Sequence, residues 1–279
     1  MRLFNGEIID LKTKAHIMGI LNVTPDSFSD GGEFDQLTLA HRHAEKLVAE
    51  GADWIDVGGE STRPGAEPIP VATELERVLP VIRSIRSIPG IRISVDTRNS
   101  ETARLALQEG AVFVNDVSGG LHDPEMLPML AKTQSPCCIM HMRGNPSTMR
   151  SHSEYSNVVQ EVTNELMERV ATALSLGIQP EQIVVDPGIG FAKTPEQSFL
   201  IISQLKQLCR LGFPVLIGAS RKRLLMLVSD APPRERLGGS IALALIAVQN
   251  CAAIVRVHDV AATVQAIRTW EFVKRFAQS

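Results

Sequence analysis

The sequence predicts an α/β fold, a (β/α)8 TIM barrel preceded by a short N-terminal β-hairpin. Short apolar segments rich in β-branched residues occur eight times along the 279 residues and alternate with helical patterns. Alternation of this kind is typical of parallel strands joined by helical crossovers. Eight repeats in a chain of this length favour closure into a barrel, so residues 1–279 are expected to form a single domain.

A hairpin signal at the N-terminus precedes the eight predicted strands. Leu3-Phe4 and Ile8-Ile9 lie on either side of Asn5-Gly6, a dipeptide that favours a type I′ hairpin turn. The eight strands are predicted at His16–Leu21, Trp54–Val57, Ile91–Val95, Val112–Val114, Cys138–Met142, Ile183–Val185, Val215–Ile217 and Ala253–Val257.

The helices between these strands are predicted from apolar residues at helical spacing. The first two apolar faces consist of Leu37, Ala40, Ala44, Leu47 and Val48, and of Leu75, Val78, Leu79, Ile82 and Ile85. Six further helices are predicted at Glu101–Glu109, Glu125–Lys132, Asn157–Leu176, Gln197–Leu211, Ile241–Asn250 and Val260–Phe276. An open doubly wound sheet shows the same alternation and remains the alternative on pattern alone.

Composition restricts the kinds of partner. Apolar residues make up 44% of the chain and charged residues 21%, which is enough to bury a full core. The formal net charge of -3 provides no cationic field for phosphodiester backbones, so nucleic acid is not expected as a partner. A small anionic ligand needs only a local cluster of positive groups.

No targeting or membrane signal is visible. Met1–Asp10 lacks the uninterrupted apolar segment of a secretory signal, and the longest apolar run, Ile241–Val248, is too short to span a bilayer. The four cysteines show no CxxC spacing and are expected to be free thiols in a reducing compartment. We therefore expect a cytoplasmic protein without a membrane partner.

Polar residues follow every predicted strand. Residues two apart on a strand point to the same face, so Phe113 shares a face with Asn115, and Val184 with Asp186. A single Asp or Asn after a strand is often only a helix cap, but eight polar strand ends together favour a site at the C-terminal mouth of the barrel. These residues are Asn22, Gly59–Arg63, Asp96, Asn115-Asp116, His141, Asp186, Ser220-Arg221-Lys222, Arg256 and His258.

The chemistry of these side chains suits a flat heterocycle with an anionic tail. Carboxylates accept hydrogen bonds from ring NH and amino groups, whereas an amide and an ammonium donate to ring nitrogens and carbonyls; this complements the edge of a pterin. Arginine and histidine provide donors for phosphate oxygens. The candidates for the ring are Asp96, Asn115, Asp186 and Lys222, and those for phosphate are Arg63, Arg256 and His258.

Two loops rich in turn-forming residues follow the first two strands. Thr24–Gly32 contains Gly31-Gly32, which gives the backbone conformational freedom, and Pro64-Gly65 marks a similar loop. A plain surface loop is one interpretation. A mobile loop that closes over the barrel mouth is the functional one.

Nine segments resemble, in order, the motifs of the dihydropteroate synthase family, and they span nearly the whole chain. The two longest are Met18–Gly32, MGILNVTPDSFSDGG, and Asp56–Gly65, DVGGESTRPG. The others are Ser94–Thr97, Asn115–Val117, Met140–Met142, Asp186–Gly188, Ser220–Lys222, Arg236–Ser240 and Val255–Asp259.

The resemblance implies a TIM-barrel transferase of folate biosynthesis, often a homodimer and a target of sulfonamides. Such an enzyme condenses 6-hydroxymethyl-7,8-dihydropterin pyrophosphate with p-aminobenzoate to give 7,8-dihydropteroate and pyrophosphate, and Mg²⁺ accompanies the pyrophosphate. By resemblance, Asn22 ligates Mg²⁺, while Thr62, Pro64, Phe28 and Ser220 line or approach the p-aminobenzoate pocket.

The resemblance also agrees with the roles inferred from the strand ends. It places Asp96, Asn115, Asp186 and Lys222 on the pterin and Arg63, Arg256 and His258 on the phosphates. The implied reaction is displacement at the exocyclic methylene of the pterin, with the arylamine attacking. The residues expected to take part directly are Asp96, Lys222, Arg256 and His258.

Three positions depart from the commonest family pattern. Ala192 stands where many relatives have glycine, Gln197 where histidine is frequent, and Arg223 where relatives carry serine or arginine. The first two are expected to alter loop geometry, and Arg223 is expected to affect contacts to the p-aminobenzoate carboxylate.

Two other functions remain alternatives at this stage. A pterin-binding methyltransferase domain is a related barrel, but it needs neither Ser220-Arg221-Lys222 nor the Thr24–Gly32 loop. A catalytically silent pterin-binding paralogue would be expected to lose phosphate-handling residues, whereas Asn22, Arg63 and Arg256 are present in this chain.

Overall fold

The computed structural model describes residues 1–24, 33–63 and 65–276, and the side chains of all of these except residues 33–35. Eight parallel strands form one sheet in the order β6-β5-β4-β3-β2-β1-β8-β7, and a parallel bridge between Val185 and Val215 joins its two edges. The sheet is therefore a nearly closed barrel with helices between the strands. The prediction of a TIM barrel is confirmed, and the open doubly wound sheet is wrong.

The strands agree with the predicted segments to within one or two residues at each end. They are β1 (His16–Asn22), β2 (Trp54–Gly58), β3 (Ile93–Asp96), β4 (Phe113–Asp116), β5 (Cys137–Met140), β6 (Ile183–Asp186), β7 (Leu216–Ile217) and β8 (Ile254–Val257). Four strands, β1, β3, β4 and β6, end at a polar residue that was predicted to follow them, because the backbone pairing continues to the rim of the barrel.

Nine α-helices lie in the part of the chain that the structure describes. They are α1 (Glu33–Ala49), α2 (Val71–Ile85), α3 (Ser100–Glu109), α4 (Met126–Thr133), α5 (Val158–Ser175), α6 (Pro195–Ser203), α7 (Lys206–Cys209), α8 (Leu237–Gln249) and α9 (Val260–Phe276). The single helix predicted at Gln197–Leu211 is wrong, because α6 ends at Ser203 and the short α7 follows it. None of these helices is long and apolar enough to cross a membrane.

Side chains alternate between the two faces of the strands. Outward residues such as Ile55, Val57 and Val95 pack against the helices in the larger core. Inward residues at the lower end of the barrel form a second apolar cluster. Its members from the strands are Met18, Trp54, Phe113, Cys138, Val184, Leu216 and Ile254.

The N-terminal hairpin covers the lower end of the barrel. Leu3, Ile9 and Leu11 belong to the inner cluster, and an antiparallel bridge joins Arg2 to Ile8. The predicted hairpin is therefore confirmed, but its turn is not of type I′. A type I′ turn needs positive φ at both central residues, whereas only Gly6 has a positive φ (+86°) and its N–H donates to the Leu3 carbonyl.

We predict that the hairpin stabilises the barrel by filling its base. Leu3→Ala should lower the free energy of unfolding by about 2–4 kcal/mol, because Leu3 is 2% exposed within the inner cluster. Ile8→Ala is the matched control in the same hairpin, since Ile8 is 79% exposed and should change stability by less than about 0.5 kcal/mol. Urea unfolding measures both. Equal effects would contradict the role of the hairpin.

Candidate active site

The inward strand positions change from apolar to polar toward the C-terminal end of the barrel. On β2, Trp54 belongs to the apolar cluster and Asp56 lies two residues further along the same face. On β4, Phe113 is followed in the same way by Asn115, and on β6, Val184 is followed by Asp186. The polar inward side chains thus lie above a closed apolar base.

Arg256 joins two of these strand ends. Its Nε donates to Asp56 Oδ2 at 2.6 Å, and its Nη2 donates to Asp96 Oδ2 at 2.7 Å. Asp56 Oδ2 also accepts a hydrogen bond from Asn115 Nδ2 at 3.0 Å. One guanidinium and one amide therefore connect β2, β3, β4 and β8 across the barrel mouth.

One guanidinium faces two carboxyl groups, so its single positive charge cannot balance the negative charge of both. Burial raises the pKa of Asp96 to about 7, with the Asp56 carboxylate contributing and Arg256 opposing the shift. Burial is therefore the main cause of the raised pKa of Asp96, and the nearby Asp56 carboxylate adds to it because one guanidinium faces both acids. Asp96 is poised to accept hydrogen bonds from a ligand that brings donors or positive charge.

Asp186 and Lys222 form a second pair of opposite charges beside the first. Burial raises the pKa of Asp186, and Lys222 opposes that shift. Burial lowers the pKa of Lys222 to about 8, although Asp186 and Asp96 both favour its charged form. Lys222 Nζ donates to the Ile189 carbonyl and lies 4.6 Å from the centroid of the Phe191 ring.

An apolar patch borders these charged groups. Phe191 packs there with a group of methionines, and all members of the patch are less than 10% exposed. The patch consists of Val117, Met140, Met142, Met149, Phe191 and Ala192. Methionine side chains adapt to flat rings, so the mouth combines an apolar wall with charged edges, as a heterocycle pocket requires.

His258 and Ser220 lie together on a more cationic side of the mouth. The Ser220 hydroxyl lies 3.1 Å from His258 Nδ1 and accepts a hydrogen bond from the His258 backbone N–H at 3.2 Å. Burial lowers the pKa of His258 to about 4, and the positive charges of Arg256, Arg221 and Arg63 add to the shift. These cations therefore lie close enough to His258 to act on one anionic ligand.

The other residues predicted to bind substrate or metal lie on β1 and in the loops that follow β1 and β2. Asn22 ends β1 opposite Gly58 and is partly buried, Thr62 is partly buried, and Arg63 is exposed after β2. Phe28 and Pro64 lie outside the described residues, as does most of the loop predicted to close the mouth. Among the described residues, no group of three or more His, Cys, Asp or Glu side chains could hold a metal ion.

Similarity to known proteins agrees with this geometry. Residues 18–258 match a family model described as "Pterin binding enzyme". A dihydropteroate synthase of Synechocystis is 48% identical over 259 residues, covering 92% of this chain and 90% of the relative. The chain belongs to the dihydropteroate synthase family.

Two solved structures of family members are closely similar in fold. A Xanthomonas albilineans dihydropteroate synthase with 4-aminobenzoic acid has a TM-score of 0.91 and 43% identity, covering 97% of this chain and 96% of that one. The same enzyme in complex with 7,8-dihydropteroate has a TM-score of 0.88 and 40% identity, covering 98% and 99%. The protein is thus a transferase that makes dihydropteroate, and nothing in these matches supports the methyltransferase or the silent paralogue.

The departures from the dihydropteroate synthase pattern have local structural consequences. Ala192 has a φ of +48°, a left-handed conformation that glycine adopts without the steric cost of a Cβ. Gln197 completes a capping box with Thr194 at the start of α6, and its Nε2 donates to the Ser153 carbonyl at 3.0 Å. Arg223 is exposed at the start of a 3-10 helix that ends at Leu227.

Sequence reasoning missed two groups near the site. Asp56 was recognised only as part of a motif, although a single acid two residues after an inward tryptophan signals a charged inward position. Lys193 was not recognised at all. Its Nζ is 2.9 Å from His141 Nδ1 and donates to the Phe191 carbonyl, and His141 Nε2 lies 2.9 Å from Glu165 Oε2. The row of contacts from Lys193 through His141 to Glu165 joins three separate segments of the chain, so no sequence spacing indicates it.

We predict that Asp96 makes the stability of the ligand-free protein depend on pH. Since its pKa is raised from 3.8 to about 7, the folded state binds more protons between those values, and the free energy of unfolding falls as pH rises through that window. Asp96→Asn removes this titration. Between pH 5 and pH 8, the variant should gain about 2.5 kcal/mol in free energy of unfolding relative to the wild type.

Urea unfolding at several pH values measures this difference. Asp10→Asn provides the control for changing an acid to its amide, because Asp10 is exposed near the opposite end of the barrel. If the difference between Asp96→Asn and the wild type stayed constant from pH 5 to pH 8, the proposed electrostatics of the mouth would be wrong.

Proposed function

We propose that the polar C-terminal mouth binds the pterin pyrophosphate and carries out its condensation with p-aminobenzoate. The observation that supports this most strongly is the convergence of Asp96, Asp186, Lys222 and Arg256 above a closed apolar base. Two acids beside one lysine match the donors and acceptors of a pterin edge. The adjoining arginine and histidine side chains match a diphosphate.

The ring is held by complementary edges. Asp96 and Asp186 accept hydrogen bonds from the ring NH and amino groups, and Asn115 and Lys222 donate to ring nitrogens and the carbonyl. Both acids have raised pKa values because burial disfavours their charge, so donors on the ring relieve an existing cost. The ring packs against the apolar patch that contains Phe191.

The diphosphate lies on the cationic side of the mouth. Arg256, His258 and Arg63 bind its oxygens. The positive charges of Arg256 and Arg63 both lower the pKa of His258, which supports the proximity of the three side chains. His258 is neutral near pH 7 in the free protein, and the negative charge of a bound diphosphate raises its pKa. His258 can then donate from its ring N–H, and proton uptake further stabilises the anion.

A divalent metal ion, with Mg²⁺ as our proposal, accompanies the diphosphate. Asn22 suits such an ion because its amide oxygen is a hard ligand at the end of β1, on the inward face opposite Gly58. Mg²⁺ commonly keeps few protein ligands and takes its other oxygens from phosphates and water, so one amide is sufficient. The ion would neutralise charge on the leaving diphosphate.

The reaction is a displacement at the exocyclic methylene carbon. The amino nitrogen of p-aminobenzoate forms a bond to that carbon, the carbon–oxygen bond breaks, and the diphosphate leaves with the bonding electrons. The amine then loses one proton to solvent. Positive charge that develops on the methylene spreads into the pterin, where Asp96 and Asp186 stabilise it, while Arg256 stabilises the departing oxygens.

The second substrate approaches beside the diphosphate. Ser220 supports this position because its hydroxyl contacts His258, which places the serine next to the proposed phosphate site. Thr62, Pro64 and Phe28 complete the p-aminobenzoate pocket in our proposal, with the Thr24–Gly32 loop excluding water when both substrates are bound. We also propose the cytoplasm as the site of this reaction, consistent with free thiols at Cys137 and Cys138.

The activity is tested with the purified protein. We expect 7,8-dihydropteroate, detected by mass spectrometry, after incubation with 6-hydroxymethyl-7,8-dihydropterin pyrophosphate, p-aminobenzoate and Mg²⁺, and loss of product after chelation of the metal. Lys222→Ala and Arg256→Ala should each lower kcat/KM by roughly 100-fold or more, because each removes a partly buried positive charge that faces the substrate. A coupled assay of pyrophosphate release measures the rates.

Two control variants test whether these losses are specific. Lys14→Ala removes an exposed lysine at the opposite end of the barrel, and Arg104→Ala removes an exposed arginine on α3. Both should retain kcat/KM within about twofold, as expected for surface substitutions. Near-normal turnover by Lys222→Ala or Arg256→Ala would contradict the assignment of the mouth.

We also propose that the protein is a homodimer formed through α8 and α9. These two helices expose large apolar side chains, and a second copy would cover them; they are Leu237, Ile246, Phe272, Val273 and Phe276. Analytical ultracentrifugation at micromolar concentration should give twice the chain mass of 30.4 kDa. Ile246→Asp should shift the equilibrium to monomer, and a monomeric wild type would contradict this surface.

A further inference from the structure

Asp56 is the one acid at the centre of the Arg256 contacts that has no role in the proposed binding of substrate. It lies on the inward face of β2 with 0% exposure. Its Oδ2 accepts from both Arg256 Nε and Asn115 Nδ2, at 2.6 and 3.0 Å. Within the described part of the chain, its Oδ1 has no hydrogen-bond partner. The burial of Asp56 therefore depends strongly on the positive charge of Arg256.

The two carboxylates that hold Arg256 differ in their access to a ligand. The side chain of Asp96 is 10% exposed at the end of β3, whereas Asp56 is fully enclosed. They also bind different nitrogens. Asp56 holds Nε, next to the aliphatic part of the arginine, and Asp96 holds Nη2, at the tip. A ligand can therefore compete for the tip of the guanidinium without reaching its anchored nitrogen.

A pterin ring at Asp96 would compete with Arg256 for the same carboxylate. Asp96 Oδ2 already accepts from Nη2 at 2.7 Å, so ring donors must share or displace that hydrogen bond. A displaced Nη2 remains a charged donor in a partly buried site. Arg256 also acts on His258 together with Arg63 and Arg221, at the place where the diphosphate is proposed to bind. Its new partner is then an oxygen of the diphosphate.

We propose that Asp56 is a positioning residue on which Arg256 pivots, so that entry of the ring at Asp96 turns the outer nitrogen toward the diphosphate. Arg256 Nε stays on Asp56 throughout, which confines the movement to the tip of the side chain. Binding of the ring at Asp96 thereby frees Nη2 of Arg256 to bind the diphosphate, which is the leaving group. This inference rests on the proposed assignment of Asp96 to the ring and Arg256 to the diphosphate.

The pivot requires positive coupling between the two halves of the first substrate. A ligand that only fills the ring pocket should strengthen binding of pyrophosphate, because it occupies Asp96, the carboxylate that otherwise competes with pyrophosphate for Nη2 of Arg256. If Asp56 only stabilised the barrel, its loss would weaken both ligands without changing their coupling. The ratio of pyrophosphate dissociation constants without and with the ring ligand therefore separates the two roles.

Calorimetric titration of pyrophosphate with Mg²⁺, without and with saturating 6-hydroxymethylpterin, measures this ratio. For the wild type we expect the ring ligand to tighten pyrophosphate binding about tenfold, within the range usual for coupled sites. In Asp56→Asn, which keeps the shape of the side chain and removes its charge, the ratio should fall to about one to two. Glu74→Gln is the matched control, because Glu74 is another acid with 0% exposure and one unpartnered oxygen among the described residues, and its other oxygen accepts from Asn99 and Thr102 and not from Arg256. This variant should keep the wild-type ratio.

A second pair of variants keeps the proposal testable if Asp56→Asn does not fold. Without the ring ligand, Asp96→Asn should bind pyrophosphate about fivefold more tightly than Asp186→Asn. Both variants replace a buried acid of the mouth by its amide, but only Asp96 holds Nη2 of Arg256. Equal affinities in these two variants would overturn the pivot.

The same titrations distinguish failure of the proposed function from failure of the pivot. If the wild type did not bind 6-hydroxymethylpterin at all, the proposed function of the mouth would be wrong. If it bound both the ring ligand and pyrophosphate with a coupling ratio near one, the proposed function of the mouth would be supported and the pivot on Asp56 would be wrong. An unchanged ratio in a folded Asp56→Asn would also overturn the pivot.

Discussion

Parallel strands that close into a barrel send every second side chain into one small interior, and this constraint determines the rest of the molecule. At the lower end the inward positions are apolar, and the N-terminal hairpin covers them with Leu3, Ile9 and Leu11. Two residues further along β2, β4, β6 and β8, the inward positions are polar or charged. The rigid base therefore fixes where Asp56, Asn115 and the other polar groups must lie relative to one another.

The electrostatics of the mouth follow from burial with too few countercharges. Arg256 faces both Asp56 and Asp96, and burial raises the pKa values of Asp96 and Asp186. Burial likewise lowers the pKa of Lys222. These costs are incurred in the free protein because the barrel holds the groups in place. A ligand with complementary donors, acceptors and negative charge relieves them, which is how a preorganised site gains affinity and stabilises a developing charge.

Much of this arrangement was predictable from the sequence. Periodicity gave the barrel and its eight strands, and the alternation of side chains placed Asn115 and Asp186 beside Phe113 and Val184 on the inward face. The polar strand ends therefore identified most of the mouth. Motif similarity added roles for Asn22 and Ser220 that residue chemistry alone did not provide.

The features that could not be predicted depend on three-dimensional contacts. The division between α6 and α7 lies in a continuous apolar pattern, so hydrophobic spacing did not reveal it. The hydrogen bond between Arg256 and Asp56 joins residues 200 positions apart, and the hydrogen bond between Lys193 and His141 joins residues 52 positions apart. Such pairs are set by barrel closure and by the paths of the loops, which no local pattern encodes.

A crystal structure of the protein with 6-hydroxymethylpterin and pyrophosphate bound together tests the central claim most directly. It should show the ring between Asp96 and Asp186 with Lys222 at its edge. Arg256 should keep Nε on Asp56 and direct Nη2 to a phosphate oxygen. A ring bound away from the two acids, or pyrophosphate bound on a surface separate from Arg256 and His258, would contradict the account.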